Sequence, residues 1–277
     1  MSVKREPSGR RSVQVEVEVP GTPEQVWEAI ATGRGVSSWF VPTEIEERDG
    51  VRTVTRHFGP GMDSTATVTA WEPPRRFAAE SPGPGPNSPP LATEWIVEAR
   101  SGGVCVVRVV HSLFASSDDW DGQLESVEAG WPAFFPVLRL YLAHFRGQPC
   151  STFSVMGVAA GPQPAAWNTL TAALGLAGAG VGQRWTAGAG SPPLSGLVDQ
   201  VGEGEHLHEL LLLDEPAPGI ASITAFTMGG KVYLTIAFYL YGERAPAAAA
   251  RDEPAWHGWM KELFPPVEDA RVEGATV

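Results

Sequence analysis

Few residues of this chain have the type and spacing that chemistry needs. Along GVCVVRVVHSLF, strict alternation gathers Cys105, Val107, Val109, His111 and Leu113 on one face, leaving His111 among apolar neighbours. An imidazole with an ordinary pKa of about 6.5 suits general acid or base work. The plainer alternative is a core histidine with a backbone partner. Arg56 and His57 are adjacent on one strand, so only one can face inward. An inward Arg56 would grip a carboxylate or enolate with its forked donors, and a surface arginine is the bland alternative. Tyr141 is the third polar group that could converge on a substrate. His206 and His208 share a strand face near Glu205 or Glu209, which is too few ligands for a metal centre, so a solvated edge is expected. There is no CxxC, HExxH, glycine-rich phosphate loop or GxSxG, and neither metal nor cofactor is expected.

The aromatic residues are a plainer signal. Trp39, Phe40, Trp71, Trp95, Trp131, Phe134 and Phe135 all fall in the first half, near elements that could enclose a cavity. With His111 they form the expected ligand-binding set, although the same rings could serve as ordinary core.

These residues need elements to position them. VQVEVEV alternates like a half-buried strand. Thr22, Pro23 and Gln25 then read as the capped start of a helix carrying Val26, Trp27 and Ile30 inward. Gly33 and Gly35 end it, and one more turn leads to Trp39 and Phe40. The runs TEIEER, VRTVTRHF, STATVTAWE, ATEWIVEA and GVCVVRVVHSLF read as strands, and their short connections imply antiparallel pairing. On ATEWIVEA, Trp95 and Val97 form the inner face and Glu94 the outer. From Asp118 a helical stripe takes over, with a break expected at Gly130 and Pro132 and a second helix from Trp131, irregular near Pro136.

The second half repeats this order. Gly21, Trp27 and Ile30 line up with Gly161, Trp167 and Leu170 at one constant offset. Strand-like runs follow, with Met228-Gly229-Gly230-Lys231 as a hairpin turn. EPAWHGWMKELF reads as a short last helix, so any pocket there should be shallower. Trp39 and Phe40 have no clear counterpart and are expected at a cavity mouth. The expected organisation is a domain at 12–147, a degenerate copy at 151–266, and flexible tails at 1–11 and 267–277. The fold class is α+β, two curved antiparallel sheets each wrapped around a C-terminal helix. The doubly apolar run KVYLTIAFYLY suggests an intramolecular pseudo-dimer within a monomer.

Composition narrows the role. The chain has 277 residues and a net charge of −12, which disfavours nucleic acid and anionic membranes as general partners. No apolar run is long enough to span a membrane, no signal peptide is evident, and Cys105 and Cys150 make no disulfide framework, so a cytoplasmic setting is expected.

VEVEVPGTPEQVWEAIATGRGVSSWF, WEPPRRF, VVRVVHSLF and GWPAFFPVLRLYL resemble the SRPBCC (START-like, helix-grip) superfamily over residues 12–146. The resemblance is to the branch related to the activator of the heat-shock-protein-90 ATPase. It implies a cavity between the sheet and the last helix, and it fixes no reaction. The superfamily includes lipid carriers, hormone receptors and polyketide aromatases and cyclases, some with two domains. The leading expectation is a binder of a small hydrophobic molecule such as a lipid or secondary metabolite. An aromatase or cyclase using His111, Arg56 and Tyr141 is the first alternative, and a chaperone or protein partner the second.

Overall fold

A computed structural model describes residues 3–59, 61–83, 85, 88–202 and 207–265. The chain divides into two compact units, residues 1–150 and 151–277. Both are α+β, as expected.

The first unit is an eight-stranded sheet and its helices. Its elements are β1 (Lys4–Arg5), β2 (Arg10–Pro20), α1 (Pro23–Ala31), α2 (Gly33–Ser37), β3 (Thr43–Arg48), β4 (Val51–His57), β5 (Asp63–Glu72), β6 (Arg76–Ser81), β7 (Leu91–Arg100), β8 (Val104–Phe114) and α3 (Asp121–Leu140). The strand order is β1-β2-β8-β7-β6-β5-β4-β3, antiparallel throughout. Strand β2 meets β8 along its whole length and so joins the chain's start to the strand that feeds α3.

The capping box at Thr22 forms as read: Gln25 N donates to Thr22 Oγ1, and Thr22 N to Gln25 Oε1. The glycines after it serve a different purpose from the one expected. Thr32 caps α2, and a Cβ on Gly35 would lie 2.0 Å from the Glu28 carbonyl. Gly35 therefore lets α2 lie directly against α1.

Two expectations are corrected here. Residues 4–11, expected to be part of a flexible tail, are ordered, because β1 pairs with the first residues of β2. Arg11 is buried and forks onto Asp121 at the start of α3, at 2.5 and 2.7 Å, while Arg5 adds a bond at 2.8 Å. Nor does the last helix break at Gly130. Helix α3 runs through Gly130, Pro132 and Pro136, then widens into a π turn over Tyr141–Phe145. The prolines cost it individual donors, and packing of Leu124, Trp131, Phe135 and Leu138 holds the rest. The expected tail at 267–277 lies outside the described residues.

The second unit holds β9 (Cys150–Ala159, apart from its first residue), α4 (Gln163–Leu174), β10 (Arg184–Thr186), β11 (Ser195–Val201), β12 (His208–Glu215), β13 (Gly219–Met228), β14 (Lys231–Tyr241) and α5 (Ala245–Leu263). Its sheet runs β10-β11-β12-β13-β14-β9. The hairpin joins β13 to β14 between Met228 and Lys231. Helix α5 is a further correction, since it spans 19 residues and passes through Pro254. Leu211, Leu213, Ile223, Leu234, Ile236, Phe238, Trp256 and Met260 fill the space between sheet and helices.

Candidate functional site

In the first unit a cavity of about 320 Å³ lies between the sheet and α3. Alternation along each strand decides what enters it. Arg56 comes from β4 and Ser64, its cross-strand partner, from β5. Ser81 and Leu91 pair across β6 and β7, and Thr93 pairs with His111 across β7 and β8. Helix α3 supplies Ser126, Val127, Gly130, Trp131 and Phe134 at helical spacing. Phe40 follows α2, and Phe58, 47% exposed, stands at the rim with the exposed Ser126 and Gly130.

The rings form a connected wall. Phe40 stacks on Trp131 at 5.5 Å and meets Phe134 edge-on at 4.5 Å and Phe58 edge-on at 5.9 Å. Trp131 rests on Phe135 at 5.2 Å and on the edge of Trp95 at 5.1 Å. Such contacts hold ring planes in place before any ligand arrives.

Two polar groups stand out in this wall. The Arg56 guanidinium has no hydrogen-bond or ion-pair partner among the described residues, and burial lowers its pKa to about 10. It remains a cation at neutral pH, turned into an apolar space without a carboxylate. His111 is the reverse case. Trp131 Nε1 donates to His111 Nε2 at 2.7 Å, and Thr93 Oγ1 lies 3.1 Å from His111 Nδ1. Burial, then the nearby Arg56 charge, lowers the His111 pKa to about 4, so the ring is neutral at pH 7. With both nitrogens engaged it has no free site from which to accept a substrate proton.

The structure brings Arg56, Phe40, His111, Trp131 and Phe134 together around one space and sets the other candidates apart. Trp39 is almost wholly buried, with its indole N–H donating to the Ala29 carbonyl at 2.9 Å. Trp95 and Phe135 form the layer behind Trp131. Trp71 packs with Trp27 and Phe77 away from the cavity, under the Arg52 guanidinium at 4.0 Å. The Tyr141 hydroxyl accepts from Gly147 N at 3.4 Å, beyond the helix, so it cannot converge with Arg56. Thr93, Phe58 and the serines went unread in the sequence. Thr93 was legible, because it shares strand alternation with Trp95 and Val97. Of the histidine pair, His206 and Glu205 lie outside the described residues. His208 and Glu209 are adjacent on β12 and point to opposite faces.

A curved antiparallel sheet closed by a long helix, with a ring-lined space between them, defines the helix-grip class of fold. Residues 10–143, just under half of the chain, match the family model described as polyketide cyclase / dehydrase and lipid transport, an SRPBCC-type family. Solved structures resemble the chain at low identity. The di-domain ARO/CYC BexL from the BE-7585A biosynthetic pathway aligns over 93% of this chain and 100% of its own, with 14% identity and a TM-score of 0.45. CalU16 from Micromonospora echinospora covers 52% of this chain and 83% of its own, at 18% identity and a TM-score of 0.41. The Aha1 dimer from Colwellia psychrerythraea covers 49% and 98%, at 18% identity and a TM-score of 0.40. No curated protein matches the chain. Among the described residues no helix is long and apolar enough to cross a membrane.

Proposed function

We propose that the first domain holds a small, flat, largely apolar molecule bearing an anionic or enolic oxygen. Arg56 takes the oxygen, and Phe40, Trp131 and Phe134 take the body. The observation that carries this reading is the unpartnered Arg56 cation inside an aromatic cavity. A half-buried charge without a partner costs stability, and a bound oxyanion supplies the missing partner. The volume suits a molecule of two or three fused rings. The family description, which names both lipid transport and polyketide cyclisation, supports a ligand of this apolar kind. The two free cysteines fit a reducing compartment such as the cytoplasm.

Titration of the full chain with 2-naphthoate and with naphthalene, followed by tryptophan fluorescence, tests the reading. The carboxylate should bind more tightly, and Arg56→Met should weaken 2-naphthoate by about ten- to a hundredfold while leaving naphthalene unchanged. Equal binding of 2-naphthoate by the variant and the parent would overturn it.

A second reading makes the same cavity catalytic, with Arg56 stabilising the enolate of a polyketone as it closes into a ring. The forked guanidinium favours it. In that case Arg56→Lys, which keeps the charge and loses the fork, should depress turnover of a poly-β-ketone more than it depresses 2-naphthoate binding.

A further inference from the structure

The hydrogen bonds around His111 have a direction that bond lengths alone do not state. An indole nitrogen can only donate, so Trp131 Nε1–H, 2.7 Å from His111 Nε2, requires that nitrogen to be unprotonated. A neutral imidazole then carries its proton on Nδ1. That proton points at Thr93 Oγ1, 3.1 Å away, so the threonine oxygen accepts. The proton of the Thr93 hydroxyl is thereby left over. It has no acceptor among the described residues, and Thr93 lines the cavity. Trp131 itself is fixed by Phe40, Phe135 and Trp95, so the chain of bonds starts from an immobile donor.

We propose that Thr93 is the directed hydrogen-bond donor of this cavity, and that its ligand carries a second, acceptor oxygen read by the Thr93 hydroxyl. The proposal rests on the reading in which Arg56 takes an anionic oxygen, and it specifies the rest of the ligand. The molecule presents two oxygens to the sheet, one anionic and one a carbonyl, ether or enol oxygen that accepts. The locked tautomer fixes the Thr93 oxygen as the acceptor from His111 and so keeps the hydroxyl proton for the cavity. The bond from His111 takes one of the two lone pairs of the Thr93 oxygen, so its proton and one lone pair remain for the cavity. His111 is on this account a positioning residue, acting through Thr93 and never touching the ligand's proton.

Two measurements test the proposal. Long-range proton–nitrogen spectra of the ring in the unliganded protein should show His111 protonated at Nδ1 and bare at Nε2 throughout the neutral range. A proton on Nε2, or a charged ring at pH 7, overturns the locking. The second measurement is a titration with 2-naphthoate and its isomers bearing one methoxy group at each remaining ring position. At least one isomer should bind about tenfold more tightly than 2-naphthoate. Thr93→Val should erase that preference, read as the ratio of methoxy-isomer to 2-naphthoate affinity within the same variant, and Thr93→Ser should restore it. Binding without any isomer preference, or a preference that survives Thr93→Val, overturns the donor and leaves the Arg56 reading standing. If no naphthoate binds at all, the Arg56 reading falls and the donor falls with it.

Discussion

Trp39 and Trp185 make the same contact in the two domains. Each indole N–H caps a carbonyl in the last turn of the helix that follows the first long strand, Ala29 in one and Leu174 in the other, at 2.9 and 3.0 Å. Trp39, which has no visible counterpart in the sequence, thus has one in the structure. Phe40 and what lies beyond it differ. The first inner face carries Arg56, Thr93 and His111 around an open space. The second is occupied by Phe153 stacked on Phe238 at 4.5 Å and by Phe238 against Trp256 at 5.1 Å. Each inner face also holds one charge at odds with its burial. Arg56 turns to the cavity. Glu209 shares a face with Leu211 and Leu213, and its Oε2 is buried with no hydrogen-bond partner. One plan can thus be closed by large side chains or left open, and an unpartnered charge makes a candidate site only where space adjoins it.

The largest effect expected from this contrast is at Trp256, which is fully buried. Trp256→Ala should cost about 4 kcal/mol in urea unfolding, against about 1 kcal/mol for Phe134→Ala beside the cavity. Equal losses would break the distinction between a filled core and an open one.

Glu209 comes next. Burial raises its pKa to about 7 from an ordinary 4.5, so the folded protein binds more protons than the unfolded chain between those values. Stability should therefore fall as pH rises from about 4.5 to 7 and stay low above that. Glu209→Leu should flatten this slope and add on the order of 2 kcal/mol at pH 8. Thermal melts of both proteins across that range decide the matter, and parallel curves would remove Glu209 as the source.

The smallest effect concerns Asp121, whose pKa the bonds from Arg11 and Arg5 lower to about 2 from 3.8. A depressed carboxyl contributes stability above its unfolded pKa and loses it as pH falls through the folded one. The parent should thus lose stability between pH 4 and 2 more steeply than Asp121→Asn, with little difference between the two slopes above pH 5.

How much of this was legible depends on whether the cause is local. Period-two alternation exposed the inner faces of β7 and β8, since a strand's faces follow from its own residues. The side taken by Arg56 was open until register was known, because Arg56 and His57 compete and pairing with Ser64 settles it. RFAAES escaped notice as β6 because alanines carry little strand preference. The contact between Arg11 and Asp121 spans 110 positions, and nothing near either residue announces it. Gly130 and Pro132 read as a break because local propensity argues so, while packing of α3 overrides it.

Gly130 has a bearing on time as well as on space. It sits at the cavity rim, and a Cβ there would meet nothing within 4 Å. An alanine would fit and would strengthen the helix by up to about 1 kcal/mol. The chain forgoes that gain and leaves a bare stretch of backbone at the rim of the cavity. Under the proposed function, bulk at Gly130 would act on the rates of entry and exit, whereas Arg56 and the ring wall set the affinity and with it part of the exit rate.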